Sequence, residues 1–265
     1  LEKTNSFVIQ LDSIEALTKD FIISCQKNYH PDRVMIEYNG MYQIEGLMDV
    51  VDETDLEVYQ TIVTVDASTA DMYLKNMKSL FVEMFKMADL VIFNRCDDST
   101  NVGSYRRSIK AVNPRAQVGF ERADGREMEM EEILPYNIQD EVIKVADEDY
   151  GIWYIDAMER PQVYEGKTVE FKGEVQRSPK MPSGVIIPGR RAMTCCEDDI
   201  TFIGYLCRLH KTKSKTLKRI INKEWVTVTA QIHSKYNEAY DKTMPVLTAT
   251  RIEKAEPPKQ TLVYF

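Results

Sequence analysis

The stretch Ala88-Asp89-Leu90-Val91-Ile92-Phe93-Asn94-Arg95-Cys96-Asp97 decides how the first half of this chain reads. Asp89 to Phe93 carries a continuous apolar run of strand length, and the run ends abruptly in polar residues. A run of that kind fits a strand buried on both faces, as in a parallel sheet. Working outward, the same design recurs. Gln60 to Asp66 is an apolar strand closed by an acid, and Arg33-Val34-Met35-Ile36-Glu37 is a shorter one. Ala116 to Phe120 follows Asn113-Pro114 as a further strand, and Ser6 to Leu11 is a short apolar run. Helical spacing fills the gaps: Ile14, Leu17, Phe21 and Ile22 after a cap at Asp12 or Ser13, then Met72 to Met87, then Ser104 to Val112. Strands alternating with helices predict a parallel α/β sheet. Ligands of such sheets sit beyond the carboxyl ends of the strands, where Glu37, Asp66 and Asn94 fall.

Asn94-Arg95-Cys96-Asp97 has the form N-[KR]-x-D. A carboxylate at the last position accepts two hydrogen bonds, from N1–H and the exocyclic amine of guanine, a donor pair that adenine lacks. The Asn bonds the base edge and ties loops together. The same four letters also describe a capping turn that leads into the next helix, and it is the place after a buried strand that favours the base-reading role. Glu37-Tyr38-Asn39-Gly40 puts an acid at a strand end with Gly three residues later. That spacing is also found where an acid reaches a Mg²⁺ shell and a Gly amide meets a γ-phosphate.

Taken in order, these segments resemble the CobW-like GTPases, over about residues 5 to 122. Arg33 to Gly40 is similar to that family's strand ending in E-x-S-G, and Thr61 to Ala67 to its next strand with a terminal Asp. Ala88 to Asp97 is similar to its guanine-reading segment, and Val112-Asn113-Pro114-Arg115-Ala116 to the lead-in of its last strand. The resemblance implies GTP or GDP with Mg²⁺ as cofactor, Asn94, Arg95 and Asp97 at the base, Glu37 and Gly40 as the phosphate-sensing switch, and Asp66 in support. The family's G-x-x-x-x-G-K-[ST] loop is absent from these residues. Gly184 to Arg191 is the nearest string, but it lacks Lys-Ser/Thr and carries Pro188 where free amides are needed. The missing loop is therefore expected upstream of Leu1, and the chain is expected to be inactive as a GTPase without it. The family's C-x-C-C metal motif has no counterpart in Leu11 to Ala16, which puts metal delivery in doubt.

Residues 123–160 are acidic, with Glu-Met alternation from Glu127 to Glu132, and read as a helical linker between a first domain over 1–122 and a second over 161–265. Beyond it the period changes to two. Lys167 to Val175, Phe202 to Leu209, Glu224 to Ile232 and Met244 to Ile252 read as strands, with a short helix at Leu217 to Ile221. About five strands and one helix predict a small closed barrel of OB type. Tyr164 to Phe265 resembles the C-terminal domain of the YcgQ-type proteins, bacterial partners of predicted permeases. The specific part is Arg191-Ala192-Met193-Thr194-Cys195-Cys196-Glu197-Asp198-Asp199. This implies a permease or other protein partner.

Cys195 and Cys196, with Asp198, Asp199, Cys207 and His210 near in sequence, offer soft and borderline ligands for Zn²⁺; packing of the thiols in a barrel wall is the rival reading. Arg208, Lys211, Lys213, Lys215, Lys218, Arg219 and Lys223 form a basic run without an acid. It reads as a solvated segment complementary to the acidic first half rather than as a nucleic-acid interface, although Tyr205, Trp225 and Tyr236 would serve as stacking platforms. The first 160 residues hold 16 basic and 31 acidic residues and the rest 18 and 11, against a net charge of −8 for all 265. Five cysteines, two of them adjacent, argue against a disulfide framework and for a reducing cytoplasm. No run has the length of a membrane span, so direct membrane insertion is not expected.

Overall fold

The computed structural model describes residues 6–128, 134–178, 181–193, 200–209, 220–238 and 241–265. It divides into two compact units, the first comprising residues 1–98 and 115–128, the second 99–114 and 129–265.

In the first unit, β1 (Ile62–Asp66), β2 (Leu90–Cys96) and β3 (Gln117–Arg122) form a parallel sheet in that order. Ile62 to Asp66 run in register with Leu90 to Asn94, which brings Asp66 opposite Asn94 at the carboxyl ends. Val65, Val91, Phe93 and Phe120 fill the interior, and the Phe93 and Phe120 rings stack with their centroids 5.1 Å apart. Asp66 also caps α3 (Ala67–Asn76), which α4 (Lys78–Met87) follows. The single helix expected over 72–87 is broken at Met77, whose non-helical backbone, with a φ of −132°, ends one helix and starts the next.

Before β1 the expectations for this unit are corrected. Arg33 to Glu37 forms no strand: the segment is irregular and exposed, and Met35 is 88% accessible. Ser6 to Leu11 is likewise irregular. Both have the apolar content of a strand, but neither pairs with the sheet, and a strand exists only through its ladder. The first helix, α1 (Lys19–Tyr29), begins later than expected because Thr18, not Asp12 or Ser13, accepts the Phe21 amide. With α2 (Ile44–Asp52) it builds a small separate cluster around Ile22, Leu47 and Val51.

The second unit includes α5 (Val102–Val112), capped by Asn101, then β4 (Val142–Lys144), α6 (Tyr150–Glu159), α7 (Pro161–Tyr164) and the strands β5 (Thr168–Gln176), β6 (Val185–Met193), β7 (Thr201–Gly204), β8 (Cys207–Leu209), β9 (Trp225–Asn237), β10 (Lys242–Lys254) and β11 (Leu262–Tyr264). The stretch read as a linker is corrected: β4 pairs with β5, and α6 lies in the core. The acidic count hid an apolar helix, in which Tyr150, Trp153, Ile155, Ala157 and Met158 are all buried. A helix apolar all round belongs inside a fold rather than in a linker.

Strict alternation puts Val169, Phe171 and Val175 of β5, and Val226, Val228, Ala230 and Ile232 of β9, on the core face. In β10 the alternation slips at a bulge between Ala249 and Arg251, so the next inward residue is Ile252. Phe202 to Leu209 is two strands rather than one, separated at Tyr205-Leu206. Gly184 to Arg191 lies mainly on β6, which accounts for its failure as a phosphate loop. The helix read at Leu217 to Ile221 falls, through residue 219, outside the described residues.

Among the described residues of this unit, Arg190 is a buried cation. Its guanidinium donates to Asp147 Oδ1, to the Asp147 carbonyl at 2.8 Å and to the Lys172 carbonyl at 3.0 Å, between the Tyr150 and Trp225 rings. Buried Asp156 accepts from the Tyr164 hydroxyl and from Arg160. Among the described residues no helix is long and apolar enough to cross a membrane.

Candidate functional site

The carboxyl ends of β1 and β2 carry the polar residues that the sequence singled out. Asp66 divides its carboxylate: Oδ1 accepts from the Ser68 amide at 3.0 Å and the Ser68 hydroxyl at 2.6 Å, while Oδ2 accepts from Arg95 Nη1 at 2.5 Å. The Ser68 hydroxyl is the main reason that its carboxyl sits below the usual range; burial opposes it, and the Ser68 amide and then the Arg95 guanidinium add lesser effects in the lowering direction.

Arg95 has a φ of 56°, in the left-handed region that non-glycine residues seldom enter. This coincides with a slip of the β2–β3 ladder. Phe93 faces Phe120, but Cys96 faces Arg122, so one residue more is accommodated on β2 than on β3. Such a bulge re-aims side chains at a sheet end. It turns Cys96 inward, where it is 4% exposed and its thiol donates to the Phe93 carbonyl at 3.4 Å. It leaves Arg95, Asp97 and Asp98 exposed. Asp98 accepts from Arg122 Nη2 at 2.6 Å; this bond first, then the charges of Asp98, Asp124 and Asp97, holds the Arg122 guanidinium above its ordinary pKa. Asn94 is half-buried, and its Oδ1 is buried with no hydrogen-bond partner. A buried acceptor without a donor is uncommon in folded proteins, and an incoming N–H donor would relieve it.

Asp66, Asn94 and Arg95 are thus brought together by register, and Asp97 follows directly. Glu37 and Gly40 stand differently. Glu37 is exposed on irregular chain. Gly40 lies in a turn in which Asn39 accepts from the Met41 and Tyr42 amides, at 3.0 Å each. A Cβ on Gly40 would touch Met84 Sδ at an ordinary 3.6 Å, and its φ is not positive, so the turn itself does not require glycine. Sequence reading missed Ser68 and Arg122, which brace the strand ends; the Asp-x-Ser spacing of Asp66 and Ser68 was the available signal.

Cys195, Cys196, Asp198, Asp199, His210 and the basic run from Lys211 to Arg219 lie outside the described residues. Among the described residues no group of three or more His, Cys, Asp or Glu side chains is arranged to hold a metal ion. Cys207 packs fully buried on β8, and burial pushes its thiol up to about 12. Tyr205 is not a stacking platform. It is 2% exposed and its hydroxyl donates to the Tyr154 carbonyl at 2.5 Å. Tyr236, in contrast, is 62% exposed.

The fold and this site define a chain of two parts: an α/β unit with polar strand ends of nucleotide-binding type, joined to a β-rich unit. Residues 4–120 match the CobW/HypB/UreG nucleotide-binding domain, and residues 120–265 match the DUF1980 C-terminal domain. The second match spans more than half of the chain, and the chain belongs to that family, with a CobW-like domain preceding it. No curated protein matches the chain in sequence. Crystal structures similar to part of it include the mitochondrial single-stranded DNA-binding protein Rim1 of S. cerevisiae, with 11% identity, a TM-score of 0.25, and 36% of this chain and 100% of that one covered. The small single-stranded DNA-binding protein of Mycoplasma pneumoniae is similar at 12% identity and a TM-score of 0.23, over 35% of this chain and 94% of that one. The one from Streptomyces coelicolor gives 10% and 0.23, over 34% and 95%.

Proposed function

We propose that this protein is a guanine-nucleotide-binding regulatory protein whose CobW-like domain reads the base through Asn94 and Asp97. The observation that carries this reading is the buried, unpartnered Oδ1 of Asn94 at the end of β2, beside the Asp66–Arg95 pair. These residues suit the base: an acceptor awaiting a donor, a cation, and in Asp97 a carboxylate able to take the N1–H and amine pair of guanine. A bound nucleotide would supply the switch signal, with Glu37 and Gly40 in the phosphate-sensing role that the family resemblance implies. With this reading go a cytoplasmic setting, a permease or another protein as partner, and a regulatory or metal-homeostasis role, with Cys195 and Cys196 as the candidate Zn²⁺ ligands and thiol packing as the rival to that last assignment.

The test is nucleotide choice. The protein should bind GDP in preference to ADP. Asp97→Asn should move the preference toward xanthine nucleotides, because the amide then donates where the carboxylate accepted. Equal binding of ADP and GDP by the wild type would remove the guanine assignment.

A second reading concerns the β-rich unit. The pairings β5–β6, β6–β8, β8–β10, β10–β9 and β9–β5 run in a ring, with only β8–β10 parallel. That ring favours a five-stranded barrel of OB type, and thus a non-catalytic binding module for a protein or for single-stranded nucleic acid. Low-micromolar binding of an oligonucleotide at physiological salt would support the nucleic-acid form of it; binding only at low salt would count against it.

A further inference from the structure

We propose that Asp66 is a positioning residue of the base site, which acts on the bound purine through Arg95 rather than by touching nucleotide or Mg²⁺ itself. The inference rests on the base-reading role proposed above.

Three observations carry it. Both carboxylate oxygens of Asp66 are already engaged, one by Ser68 and the other by the guanidinium. The ion pair crosses from β1 to β2 at the register position where Asp66 faces Asn94, so the cation is tied to the residue opposite the one that carries the unpartnered acceptor. The backbone of Arg95 is held at a φ of 56°, a strained conformation for a non-glycine residue.

Stability does not explain this arrangement. The Arg95 side chain is 67% exposed, and ion pairs so open to water contribute little to folding. Acids lie nearer to Arg95 in sequence, Asp97 and Asp98, yet the guanidinium reaches across to the neighbouring strand. A strained residue whose side chain is fixed without a folding benefit is what a pre-organised contact surface requires. The fixed element is planar and cationic, and a planar π-face such as a purine base is the chemistry that complements it.

A double-mutant cycle on the full chain, read by GDP titration with and without Mg²⁺, tests the proposal. Asn caps a helix as well as Asp does, so Asp66→Asn keeps the start of α3 and removes only the charge pair. GDP affinity should fall by about three- to tenfold in Asp66→Asn, in keeping with an exposed charge-assisted contact. Arg95→Gln should cause a similar loss, the double variant should be no weaker than Arg95→Gln alone, and Mg²⁺ should not alter the Asp66→Asn effect. Additive losses, or an Asp66→Asn effect that disappears without Mg²⁺, would overturn the positioning role while leaving guanine reading intact. A wild type that fails to prefer GDP over ADP would instead remove the base site and this role together. Should Asp66→Asn melt early, Asp66→Ser, another strong cap, replaces it in the cycle.

Discussion

Asp66 links a helix start, a strand end and a neighbouring arginine through one carboxylate, and acid should therefore disconnect all three. Its folded-state pKa is depressed, chiefly by the Ser68 hydroxyl. Its contribution is then fully present above the ordinary Asp range of about 4 and is lost as pH falls through the lower folded value. Arg95 should stay ordered at pH 6 and through the ordinary Asp range, and become conformationally averaged only in acid below that range. NMR exchange at the Arg95 side chain would check this; order retained in acid would show that the carboxylate does not hold it. Cys207 gives the opposite case, a thiol raised to about 12 by burial. At neutral pH it should alkylate far more slowly than Cys25, which is half-buried on α1. Mass-resolved thiol labelling separates the two. The identity of Asp66, Asn94, Arg95 and Asp97 as site candidates was legible from strand-then-acid spacing. The bond between Asp66 and Arg95 was not, since 29 residues separate them and only the β1–β2 register closes that distance.

At the scale of elements, glycine shows where backbones meet. A Cβ at Gly189 on β6 would lie 2.2 Å from the Ile203 carbonyl, and one at Gly173 on β5 would lie 2.9 Å from the Gly189 amide. Strands approach each other there with no room for a methyl group, so Gly189→Ala should destabilise the second unit by about 1–3 kcal/mol or more. Gly46, exposed within α2 with open space around it, is the contrast. Gly46→Ala should stabilise by up to about 1 kcal/mol through helix propensity. Thermal melts of the two variants should move in opposite directions. The same scale shows why some elements were legible and others not. β1, β2, β3 and α5 were read within three residues because period and capping agree there. Arg33 to Glu37 has strand composition without a partner, and α6 has a helical core pattern inside a stretch whose acidic average suggested a linker. Both depend on what packs against the segment, which local composition does not encode.

For the molecule as a whole, the two tryptophans are a convenience, because Trp153 and Trp225 both belong to the second unit. Intrinsic fluorescence therefore reports unfolding of that unit alone. Trp153 is fully buried against Phe171 and Tyr205, and Trp153→Ala should cost about 3–5 kcal/mol. Asp147→Ala should cost about 3 kcal/mol, because it leaves the 1%-exposed Arg190 cation with only carbonyl acceptors and ring faces. Arg190→Met should cost less, since Asp147 is 37% exposed and keeps Lys172. Urea transitions followed through Trp225 emission would rank the three; Arg190→Met as the worst would refute this account of the pair.

The order of apolar runs and their terminal acids determined the parallel sheet, the polar strand ends and the change to period two in the second half, because burial on both faces and burial on one face leave different local patterns. Tertiary structure alone decided that Asp66 meets Arg95, that Asn94 Oδ1 lacks a donor, that Arg33 to Glu37 stays out of the sheet, and that Arg190 is sealed between two rings. Each of these depends on groups far apart in the chain, and their distances are set by register and packing, not by any local preference of the residues concerned.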